Sequence, residues 1–168
     1  MTPLPDIPEA LAAQGVALRP VADDDLPFLG DIYDAYRRAE VEAFGWPPAT
    51  RSAFLADQFV LQHRHYITAY PGAAFSVVTV KGEDAGRLYL YRGVGDMRIV
   101  DIAFLPAWCN RGIGGALIKA VMADAGARGD KVSIHVERSN PAQRLYRRLG
   151  FGQAGEAGPY VLLEWTVR

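Results

Sequence analysis

The chain has 168 residues, 50% of them hydrophobic and 22% charged, with a formal net charge of −1. That length suits one domain with a full hydrophobic core, and the near-neutral balance argues against a protein that grips nucleic acid through bulk positive charge. No apolar run reaches the roughly 18 residues that cross a bilayer, the N-terminus lacks a basic-then-apolar leader, and Cys109 has no partner for an internal disulfide, so a reducing cytoplasm is the expected setting.

Residues Met1–Gly15 are proline-rich and then apolar, and they read as an arm before a single domain spanning 16–168. Val16–Pro20 predicts a first strand. Ala22-Asp23-Asp24-Asp25 offers helix N-caps, followed by Leu26, Leu29, Ile32, Tyr33 and Tyr36 at helical spacing. Gly45-Trp46-Pro47-Pro48 breaks that helix. Phe54, Leu55, Gln58, Phe59, Leu61, Gln62, His65 and Tyr66 then predict a second one, ending near Tyr70-Pro71-Gly72. Strands follow over Ala74–Val80 and Ala85–Arg92, separated by a turn at Lys81–Asp84.

The next stretch carries the chemistry. An apolar run, Ile99-Val100-Asp101-Ile102-Ala103-Phe104, leads through Leu105-Pro106 into Asn110-Arg111-Gly112-Ile113-Gly114-Gly115, and a helix is predicted from Ala116 to Ala127. A strand that delivers a glycine loop to a helix N-terminus presents unpaired N–H groups and a favourable dipole to an anion. Gly112, Gly114 and Gly115 clear space for a pyrophosphate, and Arg111 could add charge at the rim. A dinucleotide fingerprint fits less well, because that motif opens the first strand–helix–strand unit and here the loop comes late. A strand over Val132–Val136, a turn and helix beginning Asn140-Pro141-Ala142, the closing Gly150-Phe151-Gly152 and a hairpin through Tyr160–Val167 complete the chain. The order calls for an α/β domain whose mixed sheet has helices on both faces. No His, Cys and carboxylate cluster has metal-ligand spacing, so no metal is expected.

Two segments at this separation, Arg111–Gly115 and Asn-Pro-Ala-x-x-Leu-Tyr-x-x-Leu-Gly-Phe over 140–151, resemble the GNAT superfamily of acetyl-CoA-dependent N-acetyltransferases. The resemblance implies a mixed, mostly antiparallel sheet with one splayed parallel strand pair. It implies that Asn110, Arg111, Gly112, Ile113, Gly114 and Gly115 hold the coenzyme A pyrophosphate. Ile102, Ala103 and Phe104 match the strand end that pairs with the pantetheine arm and places an N–H where the thioester oxygen gains charge. Asn140, with Ala142 beside it, matches a pantetheine contact, and Tyr146 matches the general acid for the departing thiolate. A phenol suits that task because it stays neutral at pH 7. One departure is Cys109, where the family often has Gln or Arg.

For the base, Asp101 interrupts an apolar strand and His135 sits in its neighbour. Parallel pairing could bring them together as an orienting carboxylate and an imidazole, or as a pair that only stabilises the sheet. Glu137 is a third candidate. The resemblance puts the acceptor among Tyr33, Tyr36, Arg37, Glu40, Glu42, Phe44, Trp46, His65, Tyr66, Tyr70 and Tyr160. Phe44, Trp46 and Tyr66 read better as core. Aromatics with carboxylates suit a small amine or a peptide or protein amine. The expected activity is transfer of acetyl from acetyl-CoA to a primary amine by direct attack; the alternative is a non-catalytic acyl-CoA-binding module with a partner surface. No nucleic-acid or membrane partner is expected, and the arm and last strand could support a homodimer.

Overall fold

Seven strands hydrogen-bond into one sheet in the computed structural model, which describes residues 1–168. They are β1 (Val16–Pro20), β2 (Ala74–Val80), β3 (Glu83–Gly93), β4 (Asp96–Phe104), β5 (Lys131–Glu137), β6 (Gly152–Ala157) and β7 (Tyr160–Trp165), in the spatial order β1-β2-β3-β4-β5-β7-β6. Every neighbouring pair is antiparallel except β4 with β5. The expected mixed, mostly antiparallel sheet is therefore present.

Alternation along the strands sends Leu88, Leu90, Met97, Ile99 and Leu163 to one face, where each is fully buried. On that face lie α1 (Glu9–Ala13), α4 (Ile113–Arg128) and α5 (Gln143–Arg148), contributing Leu11, Leu117, Val121 and Tyr146 to the same core. Burial of each large apolar side chain there stabilises the fold by about 1.5–3 kcal/mol. The opposite face carries α2 (Leu26–Glu42) and α3 (Pro48–Ala69), which share a smaller core of Leu29, Tyr33, Val41, Leu55 and Phe59. No helix is long and apolar enough to cross a membrane.

The N-terminal residues are tied to the sheet. Thr2 donates its N–H to the Gly72 carbonyl at 2.9 Å, and its hydroxyl oxygen accepts the Arg92 N–H at 3.1 Å. Asp25 departs from the expected capping role. Its carboxylate turns back to accept the Ala22 N–H at 2.7 Å and both prongs of Arg19 at 2.8 and 2.7 Å, and the Arg19 hydrogen bonds hold it below the usual carboxylate range.

Two irregularities of β4 set up the site. It pairs with β3 along its whole length but meets β5 only through Asp96, Met97 and Arg98, opposite Lys131, Val132 and Ser133. From Ile99 onward its β5-facing edge is open. The register with β3 also passes from Leu90–Ile99 to Tyr89–Asp101, leaving Val100 as an extra, unpaired residue. Such a bulge reverses the alternation beyond it. Ile99 therefore packs in the α4 core while Asp101 turns to the α2/α3 face.

Candidate active site

Below the open edge, β4 ends at Phe104 and the chain makes a short turn, Pro106–Trp108, before the glycine loop. Asn110 and Gly112 both have positive φ, 58° and 80°. At Gly112 a Cβ would meet nothing within 4 Å, so glycine is needed there for the left-handed backbone rather than for room. The helix starts at Ile113, three residues before the predicted Ala116, because Gly112 already accepts the Ala116 N–H at 3.1 Å. The N–H groups of Ile113, Gly114 and Gly115 thus precede the first intrahelical bond and remain free donors. Gly114 and Gly115 have a packing role too. A Cβ on Gly114 would lie 3.3 Å from the Phe104 ring, and one on Gly115 would lie 3.5 Å from Leu145.

Arg111 lays its guanidinium over the Trp108 ring, 4.7 Å from its centroid. The Cys109 thiol donates toward the Phe104 and Leu105 carbonyls at 3.6 and 3.5 Å. Leu105 N–H bonds Ala85 on β3, so strand alternation points the N–H and carbonyl groups of Ile102 and Phe104 into the open gap, with Ala103 between them facing β3. Across the gap, Asn140 Oδ1 accepts the Ala142 N–H at 2.9 Å, an arrangement that starts α5 and leaves the Asn140 amide N–H groups unused.

Tyr146, on α5, is 4% exposed and is held by its ring, T-shaped against Phe151 at 5.5 Å. Burial raises its phenol above the ordinary tyrosine value, and the nearby charge of Asp101 adds to that. The same carboxylate also acts on Tyr36 from α2, Tyr66 from α3 and Tyr89 from β3. The Asp101 charge is therefore felt by tyrosines contributed by four elements. Tyr36 additionally faces the Phe104 N–H. Asp101 itself is ion-paired with Arg87, whose guanidinium also donates to Gln62 Oε1 on α3 at 3.1 Å.

His135 lies elsewhere. It is exposed on β5, with Nδ1 against the Arg98 guanidinium; Arg98 reaches Ser133 at 3.4 Å, and Ser133 donates to Asp96 at 2.7 Å. The expected Asp101–His135 pair is not formed, because the bulge turns Asp101 toward Arg87 and the two strands have already separated at that level. Glu137, at the end of β5, stands opposite Tyr160 and acts on Tyr33 and Arg37 of α2. It forms part of the far wall with the Arg37–Glu40 pair at 2.9 Å. Phe44 and Trp46, expected in the core, are 51% and 37% exposed and lie tilted against each other with ring centroids 5.1 Å apart. A separate groove of about 450 Å³ between α2 and α3, lined by Leu26, Asp34, Leu55 and Phe59, shares none of these residues. Sequence reasoning missed Arg87 and Gln62, because an arginine on a strand and a glutamine on a helix both read as solvent-facing.

A strand–glycine loop–helix unit beside an opened sheet defines an α/β fold with an anion-binding helix N-terminus, and known proteins share it. Residues 71–153 match the model of the acetyltransferase (GNAT) domain. The GNAT acetyltransferase domain thus accounts for the segment that holds the open-edged strand, the glycine loop and the helix of Tyr146. No curated protein matches the sequence significantly. Among solved structures, the chain is similar to the PaiA N-acetyltransferase of Thermoplasma acidophilum in complex with coenzyme A, with 14% identity and a TM-score of 0.65 over 90% of this chain and 99% of that one. It is similar to the ribosomal-protein-S18-alanine N-acetyltransferase of Escherichia coli, with 18% identity and a TM-score of 0.60 over 90% and 94%. An acetyltransferase from Thermus thermophilus gives 18% and 0.64 over 90% and 97%. At such identities the likeness establishes the fold.

Proposed function

We propose that the protein is an N-acetyltransferase that moves an acetyl group from acetyl-CoA to a primary amine by direct attack in a ternary complex. The observation that carries this reading is the open edge of β4 beyond Arg98, which holds Asp101 and ends next to a helix N-terminus with three free N–H donors. Those donors, on Ile113, Gly114 and Gly115, would hold the pyrophosphate, and the Ile102 and Phe104 backbone would pair with the amide-bearing arm. Asn140 offers its free amide to the same arm. Acetyl-CoA supplies an activated acyl carbon and a thiolate leaving group.

The residues then divide the proton work. Asp101 draws in the substrate ammonium and takes its proton, directly or through a water, freeing the nitrogen lone pair. As the N–C bond forms and the C–S bond breaks, an N–H in the gap (Phe104 or Ile102) meets the oxygen that gains charge. Tyr146, kept protonated by burial, gives its proton to the departing sulfur, and the second proton shed by the acylated nitrogen passes through water to restore the phenol. His135 is the weaker candidate for the base, since its Nδ1 lone pair faces Arg98. Tyrosines and carboxylates around the mouth suit a cationic acceptor, either a small amine or the amine of a peptide or protein. The exposed edge strand β6 could carry a homodimer.

The test is thiol release from acetyl-CoA across a panel of amines, peptides and proteins, with the acetylated product identified by mass. Transfer to at least one amine, strongly slowed but measurable in Asp101→Asn, is expected. Tight binding of acetyl-CoA with no transfer to any amine would instead establish the non-catalytic acyl-CoA module.

A further inference from the structure

Arg87 is a costly residue at its position. It lies in the middle of β3, 4% exposed, flanked by Gly86 and Leu88 and beside Tyr89, so its charge has been taken almost wholly out of water. Replacing such a buried ion pair by apolar side chains of similar volume is often neutral or stabilising, which means the pair does little for the fold as such. The surroundings are arranged around one task. The guanidinium reaches diagonally across the β3–β4 ladder to Asp101 Oδ2, since Arg87 stands opposite Ala103 and Asp101 opposite Tyr89. Gln62 accepts from its Nη2 at 3.1 Å, and Tyr89 places its ring 5.2 Å from Cζ. Nε of Arg87 and the Tyr89 hydroxyl are buried without a partner, so the cluster is not built to satisfy every polar atom. What it does satisfy is the direction of a single carboxylate. Asp101 stays one-fifth exposed beside the open edge of β4, and its charge is felt by Tyr36, Tyr66 and Tyr146.

We propose that Arg87 is a positioning residue that fixes the Asp101 carboxylate at the reacting centre, braced from α3 by Gln62. The proposal rests on the acetyl-transfer reading with Asp101 as base. It explains why a helix on the outer layer, α3, sends a polar side chain through to the sheet, and why β3 keeps a cation where a leucine would pack.

The test is a double-mutant cycle on the full chain with Arg87→Met, Asp101→Asn and the double variant, each measured for kcat and for the KM of acetyl-CoA and amine. If Arg87 works through Asp101, Arg87→Met lowers kcat roughly 10- to 100-fold, the scale of a catalytic group misplaced by about an ångström, and leaves the acetyl-CoA KM unchanged. In the Asp101→Asn background the same substitution has almost no further effect, because the group it positions is gone. Arg87→Lys, which keeps the charge but not the planar guanidinium, restores part of kcat. Acetyl-CoA titration of each variant shows that the nucleotide loop is intact. If Arg87→Met does not fold, Gln62→Leu reads the brace alone, and a several-fold loss of kcat is expected.

A normal kcat in Arg87→Met overturns the proposal, as does a normal kcat in Gln62→Leu where Gln62→Leu is the variant read. So do single effects that simply multiply in the double variant. A fully active Asp101→Asn is a different result: it removes the base from the proposed function, and any loss in Arg87→Met then belongs to Arg87 itself.

Discussion

Removing the Tyr146 hydroxyl separates chemistry from packing. In Tyr146→Phe the ring keeps its T-shaped contact with Phe151 and its place in the main core, so every apolar contact survives. Burial and the neighbouring Asp101 charge raise the phenol, which makes no hydrogen bond to the chain. Deleting it strands no buried partner, and the stability change is expected to stay within about 0.5 kcal/mol. Turnover behaves differently. A positioned general acid contributes about 10²–10⁴ in rate, so kcat should fall at least roughly 100-fold, or about 2.7 kcal/mol of barrier. The acetyl-CoA KM stays the same. Thiol release under saturating amine measures the loss. An acetyl thioester whose thiol is more acidic than that of coenzyme A needs less help in leaving, and with it the variant should regain most of the deficit. A kcat within about threefold of the parent would refute the acid role, as would equal sensitivity to Tyr146→Phe for both thioesters.

Gly112→Ala meets no neighbouring atom but forces an L side chain into φ 80°, so about 1–2 kcal/mol of strain should lower Tm by roughly 2–8 °C and weaken acetyl-CoA binding in a thermal-shift titration. Asp25→Asn removes a carboxylate that Arg19 grips with two hydrogen bonds; because Arg19 is itself 38% exposed, about 1–2 kcal/mol should be lost in urea unfolding. The Asp25 carboxyl is lowered in the fold, so that contribution is full at neutral pH and disappears as pH falls below the ordinary value of 3.8, where parent and variant should converge. Burial raises the phenols of Tyr33, Tyr66, Tyr89 and Tyr146, so above pH 10.0 the unfolded chain gives up protons that the folded chain keeps. Stability should fall as pH rises from there, with the phenolate absorbance of these four appearing only on unfolding; a smooth titration of all tyrosines in the folded state would contradict it.

The strands and helices that pack on periodic apolar residues were legible in the sequence, as was the glycine loop. Ile99, Leu117 and Val121 announce their own burial, and Gly112 announces a backbone that other residues avoid. The site was legible only in part. Tyr146 and Asp101 could be singled out as residues, but their relation could not, because it turns on one extra residue, Val100, inserted with no compositional mark. A reader counting alternate positions along β4 puts Asp101 on the wrong face, and pairing it with His135 follows from assuming that parallel strands stay together. Arg87 was hidden for a related reason: a cation on a strand reads as solvent-facing until the helix that covers it is in place. Phe44 and Trp46 show the reverse case, aromatics that composition assigns to the interior and the loop after α2 carries to the surface.

The three residue pairs that join β4 to β5 make the sheet two plates with a narrow joint. One plate is β1 to β4, the other β5, β7 and β6, and α4 bridges them from beneath. A plate held by so short a joint rocks more easily than a continuous sheet, and its amides near the gap exchange with solvent sooner than those of β3, which is paired on both sides. Any molecule that lays peptide-like groups along the open edge completes the missing rungs and stitches the plates together. Occupancy and stiffness should then move together: loading is expected to slow amide exchange across the joint, and part of its free energy goes into stilling it.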